Sequence, residues 1–328
     1  MPILKRTAEG GCATPRTRAR APHVFREQAV VYNPVVIKAP ARNKSAKKSI
    51  SLLTAPNLAR MPWLIHGFST RRGGFSKLYG GGALNLGFTH DDQRELVERN
   101  RAAFFRKLDV ESWGKVWLNQ IHSDLIWPVH CVPEHTLSGD GLVTGTPGLL
   151  LIIRAADCMP VLLADRKRRA AGAFHAGWRG TLRRVVEKGV GEMRRWFGSR
   201  PADLQAAIGP GIHACCYQVG EEVREQFASQ FAYWEELFAE TQESDSIHDK
   251  YPLLFLTARA PGHSHDLLPR KITLDLVEAN RRQLLDAGVP AKNITASPLC
   301  TSCRTDLLFS YRAEKVTGRM MAVVGIRR

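Results

Sequence analysis

The chain has 328 residues, 44% hydrophobic and 24% charged, which is ordinary globular usage and excludes a wholly disordered or fibrous chain. Apolar runs such as Leu149 to Ile153 fall far short of the ~20 residues that span a bilayer, so a helical membrane protein is excluded. The net charge of +16 is lopsided: residues 1–50 hold 11 Lys/Arg and 2 acidic residues, a net +9, and the other 278 carry only +7.

The first 50 residues, rich in Arg, Ala, Pro, Ser and Lys, contain no apolar h-region and read as a basic, disordered extension. Such a tail also has the charge to touch RNA or an anionic surface, or to serve as a transit-like segment. From residue 52 to 328 the pattern is that of one α/β (α+β) domain, mixed β-sheets flanked by helices. Helices are predicted from Asp92 to Leu108, with Asp92 and Glu95 spaced as a capping box; after Thr181, with Leu182, Val185, Val186, Val190, Met193 and Phe197 on one face; and from Thr273 to Ala287, closed by Gly288 and Pro290. Strands are predicted at Val116 to Ile121, Leu149 to Ile153, Val161 to Ala164, Ala170 to Phe174, Leu204 to Ile208, Leu307 to Tyr311 and Met320 to Ile326. The stretch from Gln242 to Pro269 reads as a long loop or insertion.

Seven irregularly spaced cysteines make no disulfide framework in a chain of this length, and a reducing, cytoplasmic setting fits them. Polar residues that interrupt apolar segments concentrate at Asn119-Gln120-Ile121-His122-Ser123, at Ala156-Asp157-Cys158-Met159-Pro160 and at His175-Ala176-Gly177-Trp178-Arg179-Gly180-Thr181. His122, Cys158 and His175 are the right ligand types for Zn²⁺, and three ligands leave the open fourth position of a catalytic site. Their separations of 36 and 17 residues are unlike those of a zinc finger, so the residues alone leave Cys158 open between a ligand and a buried structural thiol.

Thr70-Arg71-Arg72-Gly73-Gly74, Leu84-Asn85-Leu86-Gly87, the Asn119 to His122 string, Gly139-Asp140-Gly141-Leu142-Val143-Thr144, Ala156 to Pro160, His175 to Gly180, Ile208-Gly209-Pro210-Gly211-Ile212, Phe309-Ser310-Tyr311-Arg312 and Thr317-Gly318-Arg319 follow one another in the order of a known family. From about residue 64 onward the chain resembles the YfiH-type laccase-domain family. The resemblance implies a metal on His122, Cys158 and His175, zinc with copper as the rival. It also implies purine nucleosides and phosphate as partners: phosphorolysis of adenosine, inosine and methylthioadenosine, with adenosine deamination beside it. Peptidoglycan-precursor editing and polyphenol oxidation are the family's other implied activities. Multicopper oxidation needs several His-rich copper sites, and the sequence assembles one three-ligand set.

Phosphorolysis must hold an anion beside a cationic sugar-like transition state. Arg71 with Gly73-Gly74, and Arg179 at a helix start, are the candidates for that anion; Asp140, with Asp157, is a candidate proton carrier. The bland alternatives are a plain turn at Gly73-Gly74, a surface Arg179 and a turn-capping Asp157. Two rival functions use other chemistry: a metal-free Cys158/His175 hydrolase, and RNA binding through the tail. Cys300-Thr301-Ser302-Cys303 is either structural or incidental, a redox pair, or half of a zinc site completed by Cys215 and Cys216. The oligomeric state is not written in the sequence.

Overall fold

The structure, a computed structural model, describes residues 49–242 and 270–328. Almost all of the basic extension, and all but Gln242 of the predicted 242–269 loop, lie outside the described residues. In chain order come β1 (Leu52–Leu53), α1 (Pro56–Ala59), β2 (Leu64–Ser69), β3 (Arg72–Ser76), α2 (Arg94–Lys107), β4 (Gly114–Trp117), β5 (Ile126–Pro128) and β6 (Gly141–Thr144). Three longer strands follow, β7 (Leu149–Ala155), β8 (Met159–Asp165) and β9 (Ala170–Ala176), then α3 (Trp178–Leu182), α4 (Val185–Phe197), β10 (Leu204–Ile208), β11 (Gln218–Val219) and α5 (Glu221–Ala228). The chain closes with β12 (Phe238–Gln242), β13 (Arg270–Leu274), α6 (Leu276–Asp286), β14 (Ile294–Ala296), α7 (Tyr311–Glu314) and β15 (Met320–Ile326).

Two mixed sheets carry the domain, in the orders β1-β2-β15-β7-β4 and β14-β10-β8-β9-β6-β5, with a small third sheet β11-β13-β12. Alternate residues of a strand face opposite sides, which explains the near-continuous apolar strands. In β7, Leu151 and Ile153 enter the core between the two large sheets, while Leu150 and Ile152 meet Phe104 and Phe105 of α2 on the outside. In β8, Leu162 and Ala164 face that same core, while Val161 and Leu163 pack under α4 and α6. Each large sheet is thus buried on both faces, with helices on the outside.

Several boundaries differ from the sequence prediction. The strand predicted at Leu307 to Tyr311 does not form: Leu307, Leu308 and Phe309 are buried in an irregular turn, and Ser310 caps α7 by accepting from the Ala313 amide at 3.2 Å. Burial produced the apolar run there without any ladder. The strand predicted to reach Ile121 stops at Trp117, and Ile121 is exposed. The predicted capping box on Asp92 is absent because Asp92 Oδ2 is taken by Ser76 and Asn85, at 2.6 and 2.7 Å. The helix after Thr181 is broken by Arg184 in a left-handed conformation, and the C-terminal helix starts at Leu276, capped by Asp275, because Thr273 belongs to β13.

Candidate active site

The chain crosses from the first large sheet to the second between Ala155 and Met159, and this crossover carries Asp157 and Cys158. Asp157 sits at φ 94°, a conformation costly for a non-glycine residue. It is held there by Thr301 Oγ1, which donates to Oδ1 at 2.6 Å, and by the Arg312 amide, which donates to Oδ2 at 2.7 Å. β8 pairs antiparallel with β9, with Pro160 opposite His175, so Cys158 and His175 share one end of the sheet. His122, on the loop after β4, also has a positive φ of 56° and reaches the same point.

The three ligand-type atoms lie within 4.8 Å of one another, with His122 Nε2 3.9 Å from Cys158 Sγ and the two imidazoles edge to face. Asp140 fixes this arrangement. It is fully buried; Oδ1 accepts from His175 Nδ1 at 2.8 Å and the His122 amide at 3.1 Å, while Oδ2 accepts from the Ser123 hydroxyl at 2.7 Å and the Ile121 amide at 3.2 Å. Burial alone would raise its pKa, but the bonds from His175 and Ser123 outweigh that and hold it below the ordinary carboxylate range. With Nδ1 pinned, His175 turns Nε2 toward Cys158, as a carboxylate-oriented metal ligand does. Burial likewise opposes ionisation of Cys158, yet the charge of His175 and the bond from His122 push its thiol down to about 6. His175, despite its own burial, is raised to about 9 by Cys158 and Asp140. Without a metal, each thus favours the charged form of the other, a thiolate–imidazolium pair, and a bound ion would take the place of the proton on His175 Nε2.

This trio borders a cavity of about 640 Å³, within the range of small-molecule sites. The cavity is cationic on balance: Arg154, Arg312, Lys315 and Arg319 line it against the carboxylates of Asp91 and Asp157, and the Nε of Arg154 is buried with no hydrogen-bond partner in the structure. Burial, and the neighbouring Arg319, lower the Arg154 pKa. Like charges gathered in one concavity form a receptor for an anion. Phe88, Tyr217 and Tyr311 contribute aromatic walls.

The other predicted site residues stand elsewhere. Arg71 does not line the cavity: its guanidinium is consumed by Glu314 Oε1 at 2.8 Å, by the Thr305 and Tyr79 carbonyls at 2.5 and 3.2 Å, and by the face of Phe309. Gly73 and Gly74 are no phosphate cradle, since Cβ atoms there would meet the backbone of Ser49 and Ala83 at 2.6 and 2.2 Å. Arg179 is exposed and stacked on Trp178, also outside the cavity wall. Asp140 is not among the residues that line the cavity, and both its oxygens accept hydrogen bonds from His175 and from residues 121–123. Sequence reasoning missed the cationic wall, although Arg312 and Arg319 stand inside strings it had singled out. Spacing gave no sign that these residues line the same cavity as Cys158.

Residues 65–327 match the protein family described as multi-copper polyphenol oxidoreductase laccase. A purine nucleoside phosphorylase of Deinococcus radiodurans is 38% identical over 282 residues, 85% of this chain and 94% of that protein. The purine nucleoside phosphorylase YfiH of Escherichia coli is 31% identical over 256 residues, 78% of this chain and 91% of that protein. Among solved structures, the hypothetical protein YfiH of Bacillus licheniformis superposes with a TM-score of 0.70 at 30% identity, covering 84% of this chain and 97% of that one. YlmD from Geobacillus stearothermophilus gives 0.68 at 30% identity, covering 87% and 98%.

Proposed function

The chain belongs to the multi-copper polyphenol oxidoreductase laccase family, and on that premise we propose that it is a zinc-dependent purine nucleoside phosphorylase. One observation carries the reading: His122, Cys158 and His175 converge beside a cavity whose wall bears four cationic side chains. The donor set suits Zn²⁺, because Cys158 is already biased toward thiolate and Asp140 leaves His175 Nε2 free for a ligand bond. When bound, zinc supplies a Lewis acid facing the cavity.

The remaining work belongs to the chain. Arg154, Arg312, Lys315 and Arg319, which line the cavity, receive phosphate. A phosphate oxygen forms the new bond to the ribose anomeric carbon as the bond to the base nitrogen breaks, and the anion offsets the charge developing on the sugar. Phe88, Tyr217 and Tyr311 offer ring faces to the purine. Adenosine deamination is the less supported companion activity, since Asp140 and Asp157 both spend their oxygens on internal hydrogen bonds. Copper oxidation is less supported still, because only one His-containing ligand group occurs among the described residues.

The test is incubation of metal-analysed protein with inosine and with adenosine, with and without phosphate, followed by chromatography. Free base appearing together with ribose 1-phosphate, only when phosphate is present, is the expected result. No phosphate-dependent base release from either nucleoside would defeat the reading. The thiolate–imidazolium pair supports a second reading, a metal-free Cys158 nucleophile with His175 as its acid–base partner in a hydrolase. Stoichiometric zinc with protected Cys158 supports the first, and an alkylatable Cys158 without zinc the second.

A further inference from the structure

Apart from the trio, two segments bring four further cysteines together. Cys215 and Cys216 lie just before Tyr217, and Cys300 and Cys303 sit in the turn before Arg304. Their sulfurs all lie within 4.8 Å of one another. Cys215 is 3.8 Å from Cys216 and 3.5 Å from Cys303, and Cys216 is 3.4 Å from Cys303. Four thiolates around Zn²⁺ at ~2.3 Å stand at the corners of a tetrahedron whose edge is about 3.8 Å. The observed spacings are close to that edge and well beyond a disulfide of about 2.05 Å, and Cys303 stands equally near both partners, so no one pair is preferred.

The frame around these sulfurs is built for a fixed centre. Cys300 is buried and bridges to Gly211 in a parallel pairing, and its sulfur accepts from the His213 amide at 3.4 Å. Cys300 and Cys303 have the C-x-x-C spacing of a zinc half-site. We propose that Cys215, Cys216, Cys300 and Cys303 form a structural tetrathiolate zinc site, separate from the trio at the cavity. Binding displaces the thiol protons and clips two segments 84 residues apart in sequence, from Cys216 to Cys300. Both segments serve the cavity: Tyr217 lines it, and Thr301 holds Asp157 in its strained conformation beside Cys158. The second ion would therefore stiffen the wall behind the first without touching a substrate.

Two measurements on the full chain, prepared under reducing conditions, test the assignment. In elemental analysis, Cys300→Ser/Cys303→Ser is expected to hold one zinc equivalent fewer than the wild type, and Cys158→Ser to keep that equivalent. The wild-type count minus the variant count is the readout, so an empty trio would not disturb it. The second measurement needs no variant: native-state alkylation mapped by peptide mass, with the exposed Cys131 as internal control. Cys215 and Cys303 are exposed, yet in zinc-loaded protein they should react about tenfold or more slowly than Cys131 and become reactive after chelation. Alkylation as fast as Cys131 in the presence of zinc, or disulfides among the four in freshly prepared protein, would overturn the proposal. So would an unchanged zinc count in a folded double variant.

Discussion

Asp140 offers the most direct test of how the fold prepares the site. Its carboxylate accepts from His175 Nδ1, from the amides of Ile121, His122 and Ser123, and from the Ser123 hydroxyl, all in a fully buried position. Asp140→Asn keeps the shape but replaces one acceptor oxygen by an NH₂ donor. If the NH₂ faces His175, the ring must switch tautomer, accept at Nδ1 and carry its proton on Nε2, where it can no longer ligate a metal. If it faces Ser123 instead, two buried amides lose their acceptor, at ~1–3 kcal/mol each. Loss of a carboxylate that orients a metal-bound histidine typically costs 10–100-fold in metal affinity, about 1.4–2.8 kcal/mol. Asp140→Ala, which also leaves His175 without its buried partner, should cost about 3–5 kcal/mol of folding stability. The assays are zinc competition against a chelating dye and urea denaturation of the same preparations. An Asp140→Asn protein with wild-type zinc affinity would refute the claim that Asp140 sets the His175 tautomer for ligation.

His66 is nearly buried, and burial lowers its pKa to about 4, so the ring stays neutral and accepts the Ala55 amide at 3.0 Å. Because the folded value lies below the unfolded one, this contribution is present above pH ~6.5 and is lost as pH falls towards 4; about 2 kcal/mol should be gone at pH 5. Urea curves at pH 7.5 and pH 5 should give a smaller drop for His66→Gln than for the wild type, and equal drops would contradict the assignment. Arg71→Ala strips Glu314, three carbonyls and Phe309 of their partner, and a stability loss of about 2–4 kcal/mol in denaturant titrations is expected. A near-neutral effect would mean that Arg71 is free for another task. A Cβ at Gly177 would stand 2.9 Å from Cys158 Sγ and 3.1 Å from His122 Cδ2, so Gly177→Ala should push the thiol aside and weaken zinc binding about tenfold or more. Unchanged zinc affinity in that variant would show that the trio tolerates displacement.

The sequence by itself determined roughly where the elements lie and which polar and thiol side chains interrupt them. β10 and β15 were legible to the residue, as apolar runs that stop at Gly209 and at Arg327. That His122, Cys158 and His175 lie together agrees with the sequence reading, in which polar and thiol side chains that interrupt apolar segments are costly unless they find partners. What only the tertiary structure decided is which neighbours each side chain finds. Arg71 and Arg312 are chemically equivalent in the sequence. One is spent on Glu314 and several carbonyls away from the cavity, while the other donates to the Gln218 carbonyl, lies over Tyr217 and lines the cavity, because the fold brings each a different set of partners remote in the chain. The surroundings of Asp140 were likewise decided by the tertiary structure, since five donors from two separate stretches converge on its oxygens. The apolar run at Leu307 to Phe309 is buried without forming a strand, as hydrophobicity records burial and not the hydrogen-bond ladder that a strand also requires.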